Sequence, residues 1–258
     1  MKADNFNLQD YCARIGYTET LNADLPTLQA LMRAQLFSVP FENLDVQAGK
    51  LVSLELADIV KKIVYNPRGG YCYEVNSLFA MALDAVGIDY YLVGARPMFY
   101  PTRRARTHMV VIAKINDEEY LCDTGFGSFG IRAPLALSAV NQSIQQDEDV
   151  FRLACSDGKN FTLQALTKGE WVNQYGFDLY PHELLDFVPA NYFNSKSPDA
   201  VFVQQFLVVK HDELGRTILS GNRLRRIEKG ESTLIELSPE AIFTTLKTEF
   251  GLTPESSV

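Results

Sequence analysis

Apolar residues in the first third of the chain recur at helical spacing. Asp24-Leu25-Pro26 opens a segment in which Leu28, Leu31, Met32 and Leu36 share one stripe, and Pro40 ends it. Ser53 is placed to cap a second helix, with Leu56, Ile59, Val60, Ile63 and Val64 at i, i+3, i+4, i+7 and i+8 before Asn66-Pro67 stops it. A third stripe, Val75, Leu78, Phe79, Ala82, Leu83 and Val86, runs to Gly87, a residue suited to the left-handed turn that closes a helix. Three such stripes predict a helical bundle over residues 1–88.

From Asp89 the period changes to that of strands. Short β-branched and aromatic runs follow at Tyr90–Val93, His108–Ile115, Tyr120–Thr124, Val150–Ala154, Phe161–Leu166 and Trp171–Tyr175, separated by Gly, Asn and Asp. Residues 89–190 therefore read as a β-barrel or strongly curved sheet. Pro181–Pro198 reads as a helix-and-loop linker. Two hairpins follow, Val201–Ser220 and Leu224–Leu237, the first turning at His211–Gly215. Ser238-Pro239 begins a last helix, Glu240–Phe250, which Gly251 ends, and the tail from Thr253 is expected to fray. Residues 191–258 form a third, mixed α/β part, and the fold class is α+β.

Composition narrows the function. The 258 residues are 47% hydrophobic and 22% charged, the balance of an ordinary folded chain. No run approaches the ~20 apolar residues of a membrane span, and MKADNFNLQDYCARIGY carries charges and amides where a secretory signal would be apolar. A cytoplasmic protein is expected. A net charge of −8 disfavours nucleic-acid binding, leaving Arg103–Arg106 and Arg223–Arg226 as short basic clusters able to hold a small polyphosphate. Cys12, Cys72, Cys122 and Cys155 lack CxxC spacing, so neither a metal site nor a disulfide framework is expected.

Candidate chemistry centres on Arg68-Gly69-Gly70-Tyr71-Cys72. The two glycines permit a tight turn, and Cys72, three residues before Val75, falls on the inward stripe at the start of the third helix. The free N–H groups and positive dipole end there favour a thiolate and can receive an oxyanion. A buried structural cysteine after a glycine turn is the alternative. His108 begins one strand and Asp123 ends the next, near the same end and offset by roughly three residues if the turn at Asn116-Asp117-Glu118 is short. Each also reads singly as a structural residue. Together the three have the order and roles of a Cys-His-acid triad. His182 and His211 read as surface residues. Arg68 and Glu74 read as an ion pair or capping contact fixing the glycine turn, and Asn76 as bonding a nearby loop.

RGGYCYEVN resembles the signature of the arylamine N-acetyltransferase family, an Arg-Gly-Gly-aromatic-Cys-aromatic-Glu-x-Asn run. YCARIGY, VPFENLD at Val39–Asp45, THMVV around His108, CDTGFG around Asp123, and Ser197-Pro198 with Phe202 agree in order, up to the helix ending in EFGLTP. The resemblance implies a three-part fold: an N-terminal helical bundle, a central β-barrel and a C-terminal α/β lid around a papain-like core. It implies acetyl-CoA as donor, an acetyl-cysteine intermediate, and aromatic amines, hydrazines or N-hydroxyarylamines as acceptors, without a metal. By motif position Cys72, His108 and Asp123 take the triad. Phe41, Tyr71, Phe126 and Phe202 are expected around the acceptor, and Gly125 and Gly127 near the pantetheine arm. The lack of the vertebrate inter-domain insertion points to the prokaryotic type. An amide synthase of the same superfamily or a cysteine hydrolase would use the same triad. The sequence is compatible with a monomer or a homodimer.

Overall fold

The computed structural model describes residues 1–155 and 157–253. Its first part opens with a helix absent from the sequence reading, α1 (Leu8–Ile15): Asn7 Oδ1 accepts from the Gln9 and Asp10 N–H groups at 2.8 and 3.1 Å, and Gly16, at φ 71°, ends it. In α2 (Leu25–Ser38), Asp24 Oδ1 caps Thr27 N–H at 2.9 Å. After β1 (Phe41–Glu42) and α3 (Leu44–Gln47) comes α4 (Leu56–Ile63), which starts from Glu55 rather than Ser53. Ser53 Oγ lies too early to cap; it donates to Asp58 Oδ2 at 2.7 Å and accepts from Glu55 N–H at 3.2 Å. The longest helix, α5 (Cys72–Val86), is buried continuously from Cys72 to Leu83, so the other elements pack around it on all sides.

Eight antiparallel strands form the middle part: β2 (Asp89–Pro97), β3 (His108–Ile115), β4 (Glu118–Cys122), β5 (Leu135–Ala136), β6 (Ile144–Gln146), β7 (Asp149–Cys155), β8 (Asn160–Thr167) and β9 (Glu170–Asp178). Their order, β5-β4-β3-β2-β9-β8-β7-β6, makes an open half-barrel. α5 lies against β2 and β3. The pairing of β2 with β9 joins residues about eighty apart, Ala95 opposite Phe177, a contact no local pattern announces.

A 3₁₀ turn (Leu184–Phe187) leads into α6 (Val188–Lys196) and α7 (Val201–Gln204). Val201–Val203, expected to begin a hairpin strand, are helical; the hairpin is β10 (Leu207–His211) with β11 (Gly215–Ser220). β12 (Arg223–Glu228) and β13 (Glu231–Glu236) extend the sheet to β1-β10-β11-β12-β13, which α8 (Pro239–Phe250) covers. One apolar core joins the helices to the half-barrel, and a smaller one, including Leu44, Val208, Leu219, Leu246 and Phe250, lies under α8. Of the tail expected to fray, Thr253 is tied to Pro67 O at 3.0 Å and the remainder lies outside the described residues.

Candidate active site

Two glycines bring the start of α5 against β1. A Cβ on Gly69 would stand 2.0 Å from Pro40 O, and one on Gly70 would stand 2.8 Å from Glu74 Cβ. The turn is locked by Gly70 N–H donating to Pro40 O at 3.3 Å and Glu42 N–H donating to Gly70 O at 3.1 Å. Beneath it lies an ionic cluster. Arg68 Nη2 meets Glu42 Oε1 at 2.8 Å and Asp45 Oδ1 at 3.2 Å, so its partners are on β1 and α3 rather than Glu74. Glu74 instead accepts from Tyr71 N–H at 3.0 Å and from Lys62 Nζ at 2.7 Å. Lys62 also reaches Asp45 at 2.6 Å and Glu42 at 3.7 Å. Burial works against its charge, but the three carboxylates prevail and hold its pKa above the ordinary lysine range.

The first residue of α5 is therefore fixed, and it is Cys72, 2% exposed. Its first N–H groups have no acceptor within the helix. β3 and β4 supply the other two groups. Val111 pairs with Cys122, so the register continues to place Asp123 opposite Val110, two residues from His108 rather than three. That diagonal suffices: His108 Nε2 lies 2.7 Å from Asp123 Oδ2. A carboxylate only accepts, so Nε2 carries the proton and Nδ1 is left for the thiol.

Asn76, one turn along α5 from Cys72, clamps this strand pair to the helix. Its Nδ2 donates to Asp123 Oδ1 at 3.1 Å and to Met109 O at 2.7 Å, while its Oδ1 accepts from Thr124 N–H at 2.9 Å. Gly125 N–H completes the carboxylate shell at 2.9 Å. Burial opposes the imidazolium, yet the charge and hydrogen bond of Asp123, with Cys72 adding to them, push the His108 pKa up to about 10. Burial likewise opposes the Asp123 carboxylate, and His108, Asn76 and Gly125 hold its pKa below the ordinary value.

Cys72 and His108 open into one cavity of about 80 Å³, walled by Phe41, Phe99, Tyr100, Phe126 and Phe202, with Arg104, Gly125 and Asn194 also on its lining. Phe41 and Phe202 stand 5.6 Å apart, and Phe126 stands 5.2 Å from the His108 ring. The arrangement suits acyl transfer to a flat apolar acceptor: a thiol at a helix N-terminus, a base oriented by a buried acid, and aromatic walls.

The profile of the N-acetyltransferase family matches residues 24–257. A Salmonella typhimurium protein, arylamine N-acetyltransferase / N-hydroxyarylamine O-acetyltransferase, is 30% identical over 88% of this chain and 83% of its own. The chain belongs to the arylamine N-acetyltransferase family. The arylamine N-acetyltransferase of Mycobacterium abscessus superposes with a TM-score of 0.92 at 29% identity, covering 98% of this chain and 92% of that one. That of Mycobacterium marinum, solved in complex with CoA, gives 0.89 at 30% identity over 95% and 93%.

Within this acetyltransferase, Phe41, Phe126 and Phe202 line the cavity and Gly125 borders it. Gly127 lines the adjoining groove with Ser128, Arg223 and Arg225. Tyr71, expected on the acceptor wall, stands one layer behind it: fully buried, its hydroxyl bonds Asn191 and Ser195 and its ring backs Phe202 at 5.9 Å. His211 is not at the surface. It ends β10 at 4% exposure, and burial, with the charges of Arg216 and Arg132, pushes its pKa down to about 3. His182 is half-buried, its N–H donating to Leu92 O at 2.8 Å. Phe99, Tyr100 and Asn194 escaped the sequence reading, and Arg104 entered it only within the Arg103–Arg106 run, read there as a phosphate cluster.

Proposed function

We propose that this enzyme moves an acetyl group from acetyl-CoA to aromatic amines, hydrazines or N-hydroxyarylamines by a ping-pong route through acetyl-Cys72. The observation that carries this reading is the geometry of the nucleophile and base: Cys72 and His108 open into one aromatic-walled cavity, and His108 Nε2 lies 2.7 Å from the buried Asp123 carboxylate. The Cys72 thiolate attacks the thioester carbonyl, and the oxyanion faces N–H groups at the start of α5. CoA leaves as a thiol with the proton from His108. The amine then attacks the acetyl-cysteine, His108 takes its proton, and the thiolate departs. Asp123 holds the imidazole in the tautomer both steps require.

The groove beyond Phe126 offers a path for the donor. It passes Gly127, where a Cβ would stand 2.8 Å from the Phe41 ring, and Ser128 to reach Arg223 and Arg225, whose guanidinium groups suit phosphates. The family relationship and the CoA-bound Mycobacterium marinum neighbour support the same donor.

Incubation with acetyl-CoA and no amine should place one acetyl group on Cys72, found by peptide mass mapping, and release CoA in a burst. Cys72→Ser should abolish both. Label on Cys12, Cys122 or Cys155, or a burst that requires the amine, would overturn the mechanism. Among acceptors, turnover of simple aromatic amines separates this reading from a macrolactam-forming synthase, and loss of the acetyl group to water alone marks a hydrolase.

A further inference from the structure

The two largest fully buried side chains are arginines, Arg132 and Arg216, exposed at 1% and 2%. They come from different parts of the fold, the loop between β4 and β5 and strand β11, and meet on one atom: Arg132 Nη2 and Arg216 Nη1 donate to Asp149 Oδ2 at 2.8 and 2.7 Å. Asp147, the other acid of the cluster, is gripped through both oxygens by Arg33 at 2.7 and 3.0 Å and lies 3.3 Å from Arg132. Three guanidinium groups thus face two carboxylates. Asp212 adds only its main-chain carbonyl, which accepts from Arg132 Nη1 at 2.9 Å; its carboxylate takes the N–H groups of Leu214 and Gly215, each at 2.8 Å. His211, opposite Arg216 on β10, stays uncharged at neutral pH. The hydrogen bonds are as uneven as the charges. Arg216 Nε and Nη2, Arg132 Nε and His211 Nε2 are buried and have no hydrogen-bond partner among the described residues. Nε and Nη2 are the side-on edge of Arg216, the fork by which a guanidinium takes an anion through two parallel N–H bonds.

We propose that this cluster is a binding site for one small monovalent anion of the chloride class, seated on the free edge of Arg216 with Arg132 beside it. A guanidinium keeps its proton, so the surplus positive charge cannot be titrated away. A buried N–H without an acceptor and a buried charge without a counter-charge each destabilise the fold. Since the chain supplies no acceptor, one comes from solvent, and two candidates qualify. Water offers two lone pairs and leaves the charge uncompensated. Chloride accepts several N–H bonds from different directions and balances the three guanidinium groups against the two carboxylates. Phosphate or sulfate would overshoot that balance and needs more room than side chains exposed at 1–2% leave. The site also reaches the catalytic cavity. Arg216 Cζ lies 3.7 Å from the Phe129 ring centre, and His211 hydrogen-bonds the Ser128 backbone. Both residues belong to the loop that brings Gly125 and Phe126 to the cavity lining, so an anion that fixes Arg216 also steadies that wall.

For the test, the full chain is unfolded in urea and refolded in sodium gluconate, whose anion is too large for the site. Chloride then replaces gluconate at constant ionic strength. The thermal midpoint should climb along a one-site curve, by about 3–6 °C for each tenfold of chloride beyond half-saturation. Bromide should act alike, and in crystals grown with it the anomalous signal should mark one ion beside Arg216 Nε and Nη2. Arg216→Met removes the fork and one charge, and its midpoint should be the same in the two salts. Hydrogen exchange of the unaltered chain needs no variant to fold: residues 126–130 should gain protection along the same chloride curve. Equal midpoints for the unaltered chain in chloride and gluconate would show that water fills the cluster and would overturn the inference. A chloride response that survives in Arg216→Met, or bromide found at surface side chains only, would identify an adventitious ion and overturn it as well.

Discussion

Replacing Asp123 with Asn keeps the shape of the side chain and removes its charge. The carboxylate is 1% exposed and accepts from His108 at 2.7 Å, Gly125 at 2.9 Å and Asn76 at 3.1 Å. Breaking one side of a buried ion pair costs about 3–5 kcal/mol, because the remaining charge is stranded. The pH dependence gives the sharper test. His108 has its pKa raised to about 10 in the folded chain, against about 6.5 unfolded. Its contribution is therefore fully present below about pH 6.5 and is lost as pH rises through about 10, at no more than about 1.4 kcal/mol per pH unit. The Asp123 pKa is lowered, so its contribution is present above the unfolded carboxylate value and is lost as pH falls. Urea unfolding of wild type and Asp123→Asn should thus show a gap that is widest between about pH 5 and 6.5 and shrinks steadily toward pH 10. Comparing the two proteins cancels the titrating groups that do not interact with the pair. A gap that stays constant, or widens, from pH 6.5 to 10 would refute the buried imidazolium–carboxylate pair.

Gly125→Ala would set a methyl 2.7 Å from Cys72 Cα and 2.7 Å from Val75 Cγ2; we expect a loss of about 1–3 kcal/mol in stability and roughly 100-fold in turnover. Stopped-flow release of CoA and a urea midpoint measure the two, and a near wild-type rate would mean that the loop does not bear on the nucleophile. Lys62→Met leaves Glu42 and Asp45 paired with Arg68 and removes the ammonium that meets Glu74. Its urea midpoint at pH 7 should fall by the equivalent of about 3–5 kcal/mol, and an unshifted midpoint would show that the cluster is not held by the ammonium.

What the sequence announces and what it hides differ by range. The stripes of α2, α4 and α5 are legible because each buries one face or all of it against a continuous core, and the same periodicity carries Cys72 to the head of α5. α1 carries its own signals, Asn7 and Gly16 eight residues of helix apart, but its short apolar stripe of Tyr11 and Ile15 is weak evidence unaided. Val201–Val203 mislead because β-branched residues favour strands on average, while here Asn43 and Gln47 bond the carbonyl of Phe202 and hold the segment as a helical turn. His211 misleads for a related reason: its polar neighbours form a turn, but register pairs it with Arg216 on the covered face of the sheet. The partners of Arg68 could not be read at all. They lie 26 and 23 residues earlier, and only the docking of β1 beside the glycine turn brings them together.

The two residues of β1 have a consequence for how the molecule breathes. Phe41 pairs with Val209 on one side and bridges to Gly70 on the other, and its ring is also a wall of the cavity. The C-terminal sheet, the turn before the nucleophile and the acceptor wall are therefore stitched by one short thread of backbone hydrogen bonds. Loosening any of the three should therefore loosen the others. Amide hydrogens at Glu42, Gly70 and Leu207, bonded to Gly70 O, Pro40 O and Asn43 Oδ1, should exchange with solvent through a single shared opening. On the proposed route through acetyl-Cys72, that arrangement would expose the thioester to water only when the whole site opens.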